Sequence, residues 1–155
     1  MRPHATEPDV DPELYLRWAQ WAALSPIMRF HGVGAREPTA YPSPYRELAL
    51  AACDLRRTLR PELRGAAREA AETGVPVMRP MVLAFPGDRA ARDADLQYLL
   101  GPHLLVAPLL EPGGRRTVWV PPGSWRPLWG AVQVEGPGWQ EVSCGLDTFP
   151  AWRRA

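Results

Sequence analysis

Lysine is absent. All 18 basic residues are arginine, set against 17 acids for a net charge of +1, which reads as a genome-wide coding bias. The arginines alternate with acids and form no basic patch, which excludes a phosphate-gripping, nucleic-acid-binding design. Long apolar runs are missing too, so no segment is expected to span a membrane. The N-terminal "MRPHATEPDVDPE" has no apolar stretch of the kind a secretory signal needs, and the expected compartment is the cytoplasm. Only two cysteines occur, Cys53 and Cys144, without metal-ligand spacing. They read as inert thiols of a reducing compartment, and neither metal nor cofactor is expected. There is no internal repeat and no low-complexity tract.

What is present is an ordinary globular composition, 46% hydrophobic and 23% charged over 155 residues. That length suits one domain with a core, or pieces of two, and is short for a barrel enzyme. In "DVDPELYLRWAQWAALSP", Asp11 is placed to cap a helix, with Pro12 at its first position and Glu13 in its first turn. Leu14, Trp18, Trp21, Ala22 and Ser25 then fall on one face of a helix that Pro26 ends. "IMRFH" reads as a short strand, and residues 32–44 as a Gly- and Pro-rich loop. A second helix starts near Pro44, with apolar residues stepping by threes and fours from Tyr45 to Leu63. Pro61 should kink it and Gly74 end it.

Beyond Gly74 the pattern changes to short apolar runs, "VPVMRPMVLAF", "QYLL", "HLLVAPLL" and "TVWVPP". Turns such as "PGD", "EPGG" and "PPGSW" separate them, an antiparallel β grammar. The expected division is therefore 1–74, helix–strand–helix, and 75–155, β-rich. Trp119, Trp125, Trp129, Trp139 and Trp152 all lie in the second part, where core packing outweighs stacking on sugar rings as their use.

Within "SPIMRFHGVG", Arg29 and His31 sit two residues apart in an apolar run. In extended chain they point to one side. Functional side chains of α/β barrels stand at the C-terminal ends of strands, and two polar groups there suit the directional hydroxyls of a sugar. A structural pair, Arg29 on a carboxylate and His31 satisfied in place, accounts for the same residues.

"ELYLRWAQWAALSPIMRFHG", "YRELALAACDLRRTLRPEL", "AAETGVPVMRPMVLAFPGD", "DLQYLLGPHLLVAPLL" and "VWVPPGSWRPLWG", in this order, resemble the C-terminal part of glycoside hydrolase family 31, which includes retaining α-glucosidases and α-xylosidases. The resemblance runs from about Asp9 almost to the end. It implies an α/β plus all-β chain: the C-terminal piece of a (β/α)8 barrel, then an antiparallel β-sandwich from near Val75. The last barrel strand would be Ile27–His31 and the last helix roughly Pro44–Thr73. It also implies that His31 hydrogen-bonds sugar hydroxyls in the −1 subsite, with Arg29 as its supporting partner. The ligand would be an α-linked glucoside or xyloside.

Retaining hydrolysis needs two carboxyl groups about 5–5.5 Å apart. In the family both are aspartates on earlier barrel strands, so no residue here is expected to be catalytic, and a complementary chain is a possible partner. Among local acids, Asp93 and Asp95 are spaced to share a strand face but suit capping or turn duty, and Asp9 and Asp11 precede a helix. "RPELRGAARE" replaces the family's aromatic "PYLY"-like segment, and "LDTFPAWRRA" stands for an "IPVFVRAG"-like strand, implying a sandwich incomplete at one edge. Two functions stay open: part of a retaining α-glycosidase, or a non-catalytic β module that binds carbohydrate or a protein.

Overall fold

The structure, a computed structural model, describes residues 10–130 and 132–155. Asp9 lies outside them. The chain divides into two compact units at Leu59/Arg60.

In the first unit, α1 (Pro12–Ala23) begins where the capping signals place it. Asp11 Oδ1 accepts from the Leu14 amide at 2.9 Å, and Pro12, lacking an N–H, loses nothing at the first position. Asp11→Ala is expected to cost about 1 kcal/mol, read as a small fall in melting temperature. A 3-10 turn (Pro38–Ala40) leads to α2 (Tyr45–Thr58), which packs on α1. Small residues Ala49 and Ala52 are fully buried on α2, allowing close approach of the two helices.

The apolar stripe singled out in the sequence is not the buried face of α1. Tyr15, Leu16, Ala19 and Ala23 are buried, whereas Leu14 and Trp18 are 55% and 56% exposed. The helix carries two apolar stripes, and burial against α2 covers only one. The Tyr15 ring stacks on Tyr41 at 3.6 Å between centroids and its hydroxyl donates to the Arg36 carbonyl at 2.9 Å. Burial, helped by Tyr41, pushes the Tyr15 phenol well above its ordinary pKa.

Ile27–His31, expected as a barrel strand, is irregular. A strand exists through its ladder, and no other segment among the described residues pairs with this one.

In the second unit, α3 (Arg60–Thr73) starts immediately after α2 closes at Leu59. The expected kink is thus a break, and Pro61 sits in the first turn of α3, where its missing donor is harmless. Gly74, at φ +77°, ends it, its amide donating to the Ala70 carbonyl at 2.9 Å. By its packing α3 goes with the strands, upstream of the 74/75 division drawn from the sequence. Glu69 pairs with the nearly buried Arg79 at 2.6 Å, Glu62 pairs with Arg153, and Ala66 abuts Gly101.

The strands are β1 (Met78–Pro80), β2 (Tyr98–Leu100), β3 (Leu104–Val106), β4 (Arg115–Pro127), β5 (Val134–Ser143) and β6 (Ala151–Arg154). They form one antiparallel six-stranded sheet in the order β1-β2-β3-β6-β4-β5. Short helices α4 (Met81–Ala84) and α5 (Arg89–Asp93) follow β1. "PPGSW" is not a turn. Pro121 and Pro122 lie inside β4, where the register shifts between Val120 and Gly123, a bulge that tolerates residues without a ladder donor. Consecutive residues Val118, Trp119 and Val120 are all buried, so β4 is covered on both faces.

Trp119, Trp125 and Trp152 fill this core, as the sequence suggested for the tryptophans, while Trp139 is 47% exposed on β5. The buried indoles keep acceptors: Trp125 Nε1 donates to the Pro121 carbonyl at 3.0 Å and Trp152 Nε1 to that of Val132 at 2.8 Å. Cys53 and Cys144 are not joined in a disulfide.

Candidate functional site

The site lies within the first unit, where the chain leaves α1. After Pro26 the backbone runs through Ile27–His31 and both polar side chains emerge on one side. Arg29 Nη2 stands 3.3 Å from His31 Nδ1. A guanidinium only donates, so this contact requires Nδ1 bare and the proton on Nε2. Arg29 and His31 are exposed, and the structure brings them together without a carboxylate partner for either among the described residues.

Beside the pair opens a cavity of about 400 Å³. Its apolar wall comes from Trp18, Trp21, Ile27 and Phe30, and its charged and polar lining from Arg29, His31 and Arg36. Phe30 is held in turn by the Tyr15 ring, 6.0 Å away. An apolar, partly aromatic wall with a few convergent donors fits a ring that has a hydrocarbon face and hydroxyl edges. No carboxylate lines it among the described residues.

Of the acids weighed in the sequence, none within the described residues lies at the cavity. Asp88 caps α5 by accepting from the Ala90 amide at 2.8 Å, Asp93 is the last residue of α5, and Asp95 lies in the following turn. Asp93 and Asp95 therefore do not share a strand face. Asp11 is the cap of α1.

Sequence reasoning found the polar pair and grouped Trp18, Trp21, Ala22 and Ser25 as one apolar stripe, but did not join the two as the lining of one cavity, as the structure does. The signal was present: a 12-residue helix with both this stripe and Tyr15, Leu16, Ala19 and Ala23 has more apolar surface than one neighbouring helix covers.

The first unit is helical, with a polar pair beside a cavity, and the second is built on an antiparallel sheet. The profile of the glycosyl hydrolases family 31 TIM-barrel domain matches residues 4–64, and that of the glycosyl hydrolase family 31 C-terminal domain matches residues 74–155. The chain belongs to glycoside hydrolase family 31 and comprises a piece of its TIM barrel and its C-terminal domain. It is 34% identical over 146 residues to an alpha-xylosidase of Saccharolobus solfataricus, covering 92% of this chain and 20% of that one. It is 40% identical over 132 residues to the myogenesis-regulating glycosidase of Mus musculus, covering 84% and 18%. Among solved structures, a family 31 alpha-xylosidase from a soil metagenome, complexed with xylose, superposes with a TM-score of 0.85 at 29% identity. That match covers 96% of this chain and 25% of the other. The chain thus spans about a fifth of the length of the curated relatives it matches.

Proposed function

We propose that this chain is part of a retaining α-glycosidase of the α-glucosidase or α-xylosidase type, in which it supplies one wall of the −1 sugar subsite. Arg29 and His31 hydrogen-bond sugar hydroxyls, and the aromatic side chains beside them take the hydrocarbon face of the ring. The nucleophile and the acid/base are carboxylates outside this chain, brought to the same cavity by the rest of the barrel, whether in one polypeptide or in a complementary one. Alone, the chain binds without cleaving. The observation that carries this reading is the Arg29–His31 pair at the mouth of a cavity whose lining contains no carboxylate among the described residues. Hydrolysis with retention needs two such groups on opposite faces of the scissile bond.

A second reading, a non-catalytic β module that binds carbohydrate or a protein, draws on Trp139, the exposed indole of β5.

The test is an assay of the purified chain with an aryl α-glucoside and an aryl α-xyloside, beside titration with glucose and with xylose. No hydrolysis is expected, and the sugar titration should move the imidazole signals of His31. His31→Ala should weaken binding about tenfold, the loss of one or two hydrogen bonds. Turnover by the chain alone overturns the claim of incompleteness. Affinity that survives His31→Ala but disappears in Trp139→Ala decides for the second reading.

A further inference from the structure

We infer that Arg56 is the positioning residue that sets the direction of Ile27–His31 and so holds the Arg29–His31 pair at the cavity. This rests on the reading of that cavity as a sugar site.

The last carbonyls of α1 have no intrahelical partner, as at any helix C-terminus. Arg56 reaches them from α2. Its Nη1 donates to the carbonyls of Ser25 at 2.6 Å, Ala23 at 3.1 Å and Ala22 at 3.4 Å, and its Nη2 to that of Pro26 at 2.7 Å. One planar fork therefore gathers the end of the helix and the two residues immediately before Ile27. No carboxylate pairs with Arg56 among the described residues. Its cationic charge is matched instead by carbonyl oxygens at the negative end of the α1 dipole. Burial lowers the affinity of this guanidinium for its proton, yet arginine stays charged.

The consequence follows from what Ile27–His31 lacks. With no ladder hydrogen bonds among the described residues, its path depends on its root, together with the Phe30–Tyr15 ring contact farther along. Pro26 fixes one torsion there, and Arg56 fixes the peptide groups on either side of the bond into Pro26. Lysine could not substitute, since a single point donor cannot span four carbonyls. The neighbouring Arg57 does none of this: it pairs with Asp54 at 2.8 Å on the exposed side of α2.

The full chain is compared as wild type, Arg56→Lys, Arg56→Gly and, as control, Arg57→Gln. The readouts are the imidazole ¹⁵N signals of His31, assigned with His31→Ala, and the affinity for xylose and glucose. In wild type and Arg57→Gln, His31 should be held as the Nε2–H tautomer. In Arg56→Lys and Arg56→Gly the tautomers should mix and sugar affinity should fall about tenfold, the worth of one well-placed hydrogen bond. Millimolar guanidinium should restore both in Arg56→Gly. If Arg56→Lys lowers the melting temperature but leaves the His31 signals as in wild type, the arginine is merely structural and the inference is overturned. If the wild type ignores both sugars, the sugar reading fails, while the tautomer comparison still decides the role of Arg56. Should Arg56→Gly not fold, Arg56→Lys alone decides.

Discussion

Gln97→Met is expected to destabilise the strand-bearing unit by about 2–6 kcal/mol, the cost of two buried polar groups left without partners. The Gln97 side chain is 4% exposed and bonds the main chain of β4 in both directions. Its Nε2 donates to the Trp119 carbonyl at 2.7 Å, and its Oε1 accepts from the Trp119 amide at 2.9 Å. The carboxamide thus acts as one peptide unit of an absent neighbouring strand, because β6 pairs with β4 only from Trp125 to Pro127. Methionine matches the length of glutamine and is apolar, so the experiment isolates hydrogen bonding from packing. Urea unfolding followed by tryptophan fluorescence should show the midpoint falling with the slope unchanged. A loss below about 1 kcal/mol would mean that water or a relaxed β4 edge serves Trp119 instead.

Neither Gln97 nor Arg56 could have been singled out from the sequence, for the same reason. Each bonds main-chain groups 22 or more residues away, and carbonyls leave no trace in the residue types that carry them. What was legible was local. The Asp11–Pro12–Glu13 run announced α1 because capping chemistry lies within one turn, and Arg29 and His31 announced a shared side because extended chain alternates. Pro61 announced a discontinuity, although the break falls two residues earlier, at Leu59. Periodicity picked out the Trp18 and Trp21 stripe of α1 but not the second one, Tyr15, Leu16, Ala19 and Ala23, which is the buried face. Ile27–His31 is irregular here because strand-like composition cannot supply a ladder partner, and none is present among the described residues.

The strand that composition hid altogether is β5, and it makes the second large prediction. "VEGPGWQEVS" has two glycines around a proline, the grammar of a turn, yet it pairs with β4 from Val134 to Ser143. Proline is tolerable there because β5 is an edge strand, pairing among the described residues with β4 alone. Glycine is required because of the β4 bulge. A Cβ on Gly136 would stand 2.0 Å from the Pro121 carbonyl oxygen and 2.5 Å from that of Val120. Both obstacles are backbone, so no rotamer change relieves them. The Pro121 carbonyl cannot retreat freely either, since it accepts the indole N–H of the fully buried Trp125. Gly136→Ala should therefore cost about 3 kcal/mol or more, at the upper end of what overpacking does. Gly138→Ala, two residues along the same strand with no atom within 4 Å of the added carbon, should change stability by less than about 1 kcal/mol. Parallel thermal melts of the two variants separate steric demand from general glycine scarcity in strands. Equal melting temperatures would show that the bulge yields, and that the contact between Gly136 and Pro121 does not hold β5 in register.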